Sequence, residues 1–331
     1  MHRRCFLQAI AATLPPRLLA QLVVRPRATT FYGFPLAPDL DRLEADVAFL
    51  GIPYDLGHSS RPGARQGPAA LRDASVRGLG FQSTPGPSAG MYDLEREQWI
   101  LKGLRLADAG DVYIAPAQVT ENLDRITEAV RKILDRGAFP AVVGGDHSIT
   151  FPVLRAFSRS RHKIHIIHFD SHLDFNPIGT PPVYEHANHL RHSIDLAWIG
   201  GVTSIGVRGV RRFTVSVEDV RKRGVQLIPA AKAIQMGAAT VAAAIPDSPA
   251  YYVTFDVDVL DPVAAPGTGT PVPGGLSYYQ ARDLLAEVAR RGPIAGADFC
   301  ELSPPHDNGA ITASLASRLL LDFLGAVFRA R

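Results

Sequence analysis

Histidine and aspartate residues follow three apolar runs of the chain, at the point where each run ends. The runs lead into residues 144–148, 170–174 and 256–258. These segments supply six candidate metal ligands: His147, Asp170, His172, Asp174, Asp256 and Asp258. Carboxylates with imidazoles and no thiolate suit Mn²⁺ better than Zn²⁺, although this ligand set does not exclude Zn²⁺, Co²⁺ or Ni²⁺. The pattern therefore predicts a site for divalent metal ions.

The charge of these ligands indicates how many ions they hold. A single aspartate of this kind is a weak signal, since aspartate also caps helices and builds turns. Six such side chains at the edge of an apolar sheet are costly to bury without a cation. The four carboxylates carry a charge of −4, which two divalent ions balance. Two ions about 3.5–4 Å apart can share one water and lower its pKa toward neutrality, so the predicted chemistry is hydrolysis.

The composition excludes several other classes of protein. The chain has 331 residues and a mean hydropathy of +0.04, and 46% of it is hydrophobic, so it can bury a large core. Its two cysteines, Cys5 and Cys300, are too few for a four-thiolate zinc site, an iron–sulfur cluster or a disulfide framework. The net charge of +3 is small and dispersed, which argues against a nucleic-acid partner. No apolar stretch reaches the length of about 18 residues that a membrane span needs.

Short β-rich apolar runs alternate with amphipathic segments from about residue 45 onward. One helix is predicted from an apolar stripe beginning at Leu123, with Thr120 as its N-cap and Gly137 at its end. A second follows the capping box of Ser277 and Gln280. The alternation predicts one domain with a parallel sheet covered by helices on both faces. Its strands are expected at residues 47–51, 140–144, 164–169, 203–207, 251–255 and 294–299. Ligands of such sheets bind beyond the carboxyl ends of the strands, where the six candidate ligands stand.

The sequence of the N-terminal segment indicates an extension or an export leader that is separate from the catalytic domain. Arg3 and Arg4 precede a short apolar stretch, as in a twin-arginine export signal, but Pro15 and Pro16 interrupt that stretch early. We expect residues 1–25 to be an extension or such a leader, and residues 26–331 to form a single catalytic domain. A cytoplasmic location is the first expectation, and export to the periplasm is the alternative.

Several motifs together resemble those of the ureohydrolase (arginase/agmatinase) family. Gly-Gly-Asp-His-Ser, Asp-Ser-His-Leu-Asp and Phe-Asp-Val-Asp-Val-Leu-Asp-Pro, which start at residues 144, 170 and 255, are similar to its three signatures. Residues 60–68, 265–271, 274–277 and 301–307 are most similar to the agmatinase branch. The resemblance extends from about residue 45 to the C-terminus.

This resemblance implies a metal-ligand assignment and a fold. One manganese would be held by His147, Asp170, Asp174 and Asp256, and the second by Asp170, His172, Asp256 and Asp258, with Asp170 and Asp256 bridging. The implied fold is a three-layer α/β/α sandwich with an about eight-stranded parallel sheet. The implied assembly is a homotrimer or homohexamer.

The resemblance also implies catalytic roles. A hydroxide bridging two Mn²⁺ would attack a guanidinium carbon, and urea and an amine would be released. Asp174 would orient the hydroxide, Glu301 would accept hydrogen bonds from the guanidinium, and His186 would protonate the leaving amine. The segment after His186 departs from the family pattern, because Ala187 and Asn188 stand where the family has Gly and Thr. His189 and His192 are nearby competitors for the proton-transfer role, although we expect both to be exposed.

The substrate is less well determined than the reaction. The motifs favour agmatine. Asn176 and Asn188 are candidate substrate-binding residues, and an amide at Asn176 favours a guanidino acid such as guanidinobutyrate or guanidinopropionate. Arginine is a further alternative. Two other classes stay open: a single-zinc deacetylase, and a ureohydrolase-like protein that binds without catalysis.

Overall fold

The computed structural model describes residues 24–25, 27–78, 90–179, 183–210 and 215–329. Apart from Val24 and Arg25, the predicted extension and export leader lie outside the described residues. Val24 and Arg25 form a short strand that pairs antiparallel with residues 111–112. The sheet therefore begins before the predicted domain start at residue 26.

The centre of the molecule is a nine-stranded sheet in the order β1-β5-β2-β6-β11-β10-β7-β8-β9. Strand β1 is antiparallel to its neighbour, and the other eight strands pair in parallel, as the sequence predicted. A separate hairpin joins β3 to β4. The strands are β1 Val24–Arg25, β2 Val47–Ile52, β3 Met91–Asp93, β4 Gln98–Ile100, β5 Leu106–Val112, β6 Phe139–Gly144, β7 Ile164–Phe169, β8 Ile199–Ile205, β9 Gln226–Ile228, β10 Ala250–Asp256 and β11 Ile294–Cys300.

Helices cover both faces of this sheet, which confirms the three-layer α/β/α architecture. The α-helices are α1 Gly67–Gly78, α2 Val119–Asp135, α3 Thr150–Arg155, α4 His189–Ser193, α5 Val215–Lys222, α6 Ala230–Met236, α7 Ala238–Ala244, α8 Tyr278–Ala289 and α9 Ile311–Val327. Short 3₁₀ helices span Phe31–Gly33, Leu40–Arg42, Ala64–Gln66, His147–Ile149, Ala156–Arg159, His186–Asn188, Val257–Val259 and Pro304–His306. No helix among the described residues is long and apolar enough to cross a membrane.

Two apolar cores lie on opposite faces of the sheet because successive strand residues point to opposite sides. In β2, Val47 and Phe49 pack into one core, whereas Ala48 and Leu50 pack into the other. The first core includes side chains of α1, α8 and α9, and the second includes side chains of α2 and α3. Since both faces are covered, the central strands are held rigidly from both sides.

A buried ion cluster joins α1 to β5. Arg72 of α1 is 1% exposed, and its guanidinium donates to Asp108 Oδ2 at 2.8 Å and to Asp111 Oδ1 at 2.6 Å. Both aspartates lie inside β5 and are fully or nearly fully buried. The cluster explains why β5 was not expected, since its two charges interrupt the apolar pattern by which buried strands are identified.

Among the predictions about individual helices and strands, the capping box is confirmed and two others are wrong. The capping box is present, with Ser277 Oγ accepting from Gln280 N and Gln280 Oε1 accepting from Ser277 N. Thr120 is not the N-cap of α2, because the helix begins at Val119 and the residue before it is Gln118. The strand expected at residues 203–207 lies earlier, at residues 199–205, since two glycines at its start weaken its β signal.

The Arg72 cluster yields a stability prediction. Replacing Arg72 with Met removes the cation and leaves Asp108 buried without a charged partner. We expect the free energy of unfolding to fall by about 3–5 kcal/mol, as for other broken buried ion pairs. Urea denaturation measures this change. Arg77→Met, at an exposed position of the same helix, is the control and should shift stability by no more than about 0.5 kcal/mol. Equal effects of the two substitutions would contradict the prediction.

Candidate metal centre and active site

Four neighbouring strands carry the predicted site residues at their carboxyl ends. In the order β6, β11, β10 and β7 these strands lie side by side in the middle of the sheet. His147 follows β6, Glu301 follows β11, Asp256 ends β10, and Asp170 follows β7. Because the strands are parallel, their ends meet at one edge, and residues far apart in sequence converge there.

The first group of ligand atoms surrounds His147 Nδ1. Oδ2 of Asp170 lies 3.1 Å from this nitrogen, Oδ2 of Asp256 3.2 Å and Oδ2 of Asp174 3.3 Å. Adjacent ligand atoms around an octahedral divalent ion with bonds of about 2.1 Å are about 3.0 Å apart. The four side chains therefore have the spacing of a metal-ligand set.

A second group adjoins the first and shares Asp170 with it. His172 Nδ1 lies 2.9 Å from Asp258 Oδ2 and 3.4 Å from Asp170 Oδ1. All six predicted ligands thus come together in two adjoining groups. Two groups joined through one carboxylate suit two ions better than the single ion of the deacetylase alternative.

Hydrogen bonds orient the ring of His147. Thr254 Oγ1 donates to Asp298 Oδ1 at 2.6 Å, so it accepts from His147 Nε2–H at 2.7 Å. A proton is therefore on Nε2, so Nδ1, which faces the carboxylates, is the ring nitrogen available to a metal ion. Nδ1 of His147 and Oδ2 of Asp170 are buried and make no well-oriented hydrogen bond in the described part of the chain. Two orphaned buried atoms that face each other are the arrangement expected where a cation binds.

Electrostatics supports the same conclusion. Burial and the neighbouring carboxylates raise the pKa values of Asp256 and Asp258. Burial opposes ionisation of Asp170 too, but the contacts with His168, His147 and His172 outweigh it and lower its pKa. The surroundings therefore disfavour the charged form of Asp256 and Asp258, and a divalent cation would compensate that charge.

Glu301 and His186 form a pair beside the ligand groups. Glu301 is completely buried, and its Oε1 accepts from His147 N at 2.9 Å and lies 3.3 Å from His186 Nδ1. Burial disfavours both charges, yet their mutual attraction prevails, so the pKa of His186 rises to about 9 and that of Glu301 falls to about 2. The site thus brings together the two residues expected to bind and protonate the substrate.

Two of the site residues have strained backbones. Asp174 has a φ of +47° and Glu301 a φ of +64°, in the left-handed region that residues other than glycine rarely adopt. Such strain costs of order 1–3 kcal/mol per residue and persists where the surrounding structure requires one geometry. Here it directs both carboxylates into the site.

Two further histidines belong to the site, and the sequence reasoning missed or misjudged them. His189 was expected to be exposed, which is wrong: it is 1% exposed, and its Nε2 lies 3.1 Å from Asp174 Oδ2. Its ring stacks on His147 at 4.1 Å, and burial lowers its pKa to about 3. His58 was not considered, although the similar segment begins only two residues later. Its side chain is buried, with Nε2 3.5 Å from Glu301 Oε2.

A cavity of 170 Å³ opens onto this edge of the sheet. Its lining includes Ser59, Asp174, Asn176, His186, Asp256 and Thr270. Asn176 contributes an amide that has no hydrogen-bond partner among the described side chains. Asn188 does not line the cavity, because its Nδ2 donates to Val183 O and its Oδ1 accepts from Glu185 N. The structure therefore offers Asn176, and not Asn188, to a ligand in this cavity.

Several known proteins are similar to this chain in sequence or in fold. The family model described as the arginase family matches residues 45–325. Guanidinopropionase of Pseudomonas aeruginosa is 34% identical over 305 residues, which cover 89% of this chain and 90% of that protein. Mitochondrial agmatinase of Gallus gallus is 32% identical, with 94% of this chain and 88% of that protein covered. The structure of proclavaminate amidinohydrolase from Streptomyces clavuligerus superposes with a TM-score of 0.77 at 33% identity, covering 92% of this chain and 98% of that one.

The hydrogen bond to His147 yields a prediction about metal binding. Replacing Thr254 with Val removes the acceptor that fixes the His147 tautomer, so we expect metal affinity to fall about 10–100-fold. Competition with a chelating indicator measures the affinity. Thr203→Val is the matched control, since Thr203 makes the equivalent contacts with His165 and Gln226 outside the site. If both variants retained metal equally well, the tautomer argument would be wrong.

Proposed function

Because the chain belongs to the arginase family and is therefore a hydrolase of C–N bonds in linear amidines, we propose that its substrate is a short guanidino acid. The products are urea and an amino acid. The observation that carries this choice is the free amide of Asn176 in a cavity of 170 Å³. Family membership and the paired ligand groups argue against both the deacetylase and the non-catalytic alternative.

The metal ions are assigned to the two ligand groups, and the family resemblance adds Asp256 of the first group to the second as well. His147, Asp170, Asp174 and Asp256 would hold one ion, and Asp170, His172, Asp256 and Asp258 the other. Oxygen-rich ligation with two imidazoles supports Mn²⁺. When bound, two such ions lower the pKa of a water so that a nucleophile is available at neutral pH.

The protein's own residues bind the guanidinium and move the proton. The Glu301 carboxylate accepts hydrogen bonds from the planar guanidinium, an interaction that is strongest when both oxygens take part. His186 lines the cavity and donates a proton to the leaving amine, and its Nε2 lies 3.0 Å from Ser59 Oγ. Asp174 lines the same cavity, where its carboxylate accepts a hydrogen bond from the attacking water.

The lining of the cavity supports a substrate with an anionic tail. Apart from Asp174 and Asp256, which are assigned to metal, the side chains named above are neutral or are histidines. A carboxylate that could pair with the ammonium group of agmatine is therefore not available among them. The Asn176 amide can donate to a substrate carboxylate. Three relatives, guanidinopropionase, guanidinobutyrase and guanidino acid hydrolase, are named for such substrates.

Agmatine is the second candidate. The motifs favoured it, and the likeness to the avian agmatinase covers 94% of the chain. The homotrimeric or homohexameric assembly and the cytoplasmic or periplasmic location stay predictions.

A urea-release screen tests the proposed function. The Mn²⁺-loaded protein is assayed with guanidinobutyrate, guanidinopropionate, agmatine, arginine and guanidine. We expect the two guanidino acids to give the highest kcat/KM. Two bound ions per chain, measured by metal analysis, should accompany activity. A clear preference for agmatine would overturn the choice of substrate, and the lack of urea from every compound would overturn the reaction.

Substitution at Asn176 provides a sharper test. In Asn176→Asp the new carboxylate repels an anionic tail and attracts a cationic one. We expect kcat/KM to fall at least about tenfold for guanidinobutyrate and to rise for agmatine. Asn308→Asp, at an exposed position outside the cavity lining, is the control for an added charge. Equal losses for both substrates in Asn176→Asp would show that the amide does not contact the tail.

A further inference from the structure

His58 lies in the loop that follows β2, and its imidazole is completely buried. Nδ1 of the ring faces two backbone N–H groups, from Ser60 at 3.2 Å and Arg61 at 3.1 Å. A backbone N–H can only donate, so Nδ1 is the acceptor in both hydrogen bonds. The remaining proton of the neutral ring is therefore on Nε2.

Nε2 of His58 lies beside the carboxylate of Glu301. The distance to Glu301 Oε2 is 3.5 Å, and neither atom has another hydrogen-bond partner within the described ranges. Hydrogen bonds of active-site groups are often long before substrate binds and shorten in the complex. Close packing keeps the ring in this position, since a Cβ on Gly269 would lie only 2.4 Å from His58 Nε2.

The two oxygens of Glu301 have different neighbours, and only Oε2 lies next to His58. Oε1 is already held by His147 N and faces His186 Nδ1. A donor on Oε2 sets the rotation of the carboxylate plane about this anchored oxygen. The His58 ring also stacks on His186 at 4.4 Å with an angle of 20° between the planes. One side chain thus contacts both the guanidinium acceptor and the proton donor.

His58, His186 and Glu301 could be taken for a third metal site, because their possible ligand atoms lie close together. Coordination through His58 Nε2 would require the ring proton to be on Nδ1. That proton would face the N–H groups of Ser60 and Arg61 at 3.1–3.2 Å. Repulsion between three donors disfavours this arrangement, so the backbone favours a hydrogen-bond donor over a metal ligand.

We propose that His58 is a positioning residue, held by the backbone as the Nε2–H tautomer, that orients the Glu301 carboxylate to bind the guanidinium. The proposal rests on the proposed function. A guanidinium pairs best with a carboxylate whose plane is aligned with its own. Without the donor, the carboxylate of Glu301 can rotate, and substrate binding weakens before the chemistry of the metal site is affected.

The test measures binding without turnover. Guanidinobutyrate is titrated calorimetrically into the metal-depleted unaltered chain and into four variants. The variants are His58→Phe, His58→Gln, Glu301→Gln and the double variant His58→Phe/Glu301→Gln. Phe keeps the ring that stacks on His186, whereas Gln restores an N–H donor. We expect His58→Phe to raise Kd about tenfold or more, as for a lost hydrogen bond to a charged group. His58→Gln should recover most of the affinity. In the Glu301→Gln background, His58→Phe should add less than about threefold.

Controls separate this proposal from a structural defect. His162→Phe, at an exposed position, should bind as the unaltered chain does, and melting temperature and Mn²⁺ content should not change in His58→Phe. Turnover of the loaded enzyme should show a larger change in KM than in kcat.

The outcomes have distinct meanings. Unchanged binding in His58→Phe, full additivity with Glu301→Gln, or no recovery in His58→Gln overturns the role of His58 while leaving the proposed function intact. If the unaltered chain neither binds nor hydrolyses any guanidino compound, the proposed function fails, and the role of His58 fails with it.

Discussion

Charge repulsion among buried carboxylates is the constraint on which the site depends. Asp170, Asp174 and Asp256 each place an oxygen within 3.3 Å of one imidazole nitrogen. Ionised carboxylates this close together in a desolvated site repel one another, and a cation between them removes that repulsion. The same arrangement that is unfavourable on its own is thus one that a bound divalent cation would stabilise. The sheet must supply the rigidity that keeps the carboxylates from moving apart.

That rigidity comes from the packing of the strands and from hydrogen bonds beneath the ligands. The central strands are packed on both faces, so their carboxyl ends move little relative to one another. Asp298 and Thr254 lie below the site, on adjacent strands, and fix the ring of His147. The left-handed backbone at Asp174 and Glu301 is sustained by the same scaffold. The packing of the core therefore offsets the cost of the strained backbone at Asp174 and Glu301.

The sequence predicted those features that depend on residues close together along the chain, and it missed those that depend on contacts formed by the fold. Residues 164–169 were expected as a strand and are one, since an unbroken β-rich run is a local pattern. The candidate ligands were proposed because they directly follow such runs, and the fold brings their side chains together. Strand β5 was missed because Arg72, 36 residues earlier, neutralises Asp108. His58 and His189 were missed or misjudged for a related reason: their partners, Glu301 and Asp174, are brought to them by the fold, and no spacing along the chain reveals these contacts.

Metal chemistry and substrate selection are assigned to different parts of the chain. The candidate metal ligands follow strand ends, whereas His58 and His186 lie in two segments that meet at Gly57. The N–H of Gly57 donates to Asp146 Oδ2, and its carbonyl accepts from His186 N. A Cβ on Gly57 would lie 2.7 Å from Ser148 Oγ, so this junction requires glycine. Because Asn176 N donates to Ala187 O, the amide proposed to contact the substrate tail is attached to the same segment as His186. Changes at residues 176–188 can therefore alter which guanidino compound binds while leaving the strand-end ligands in place.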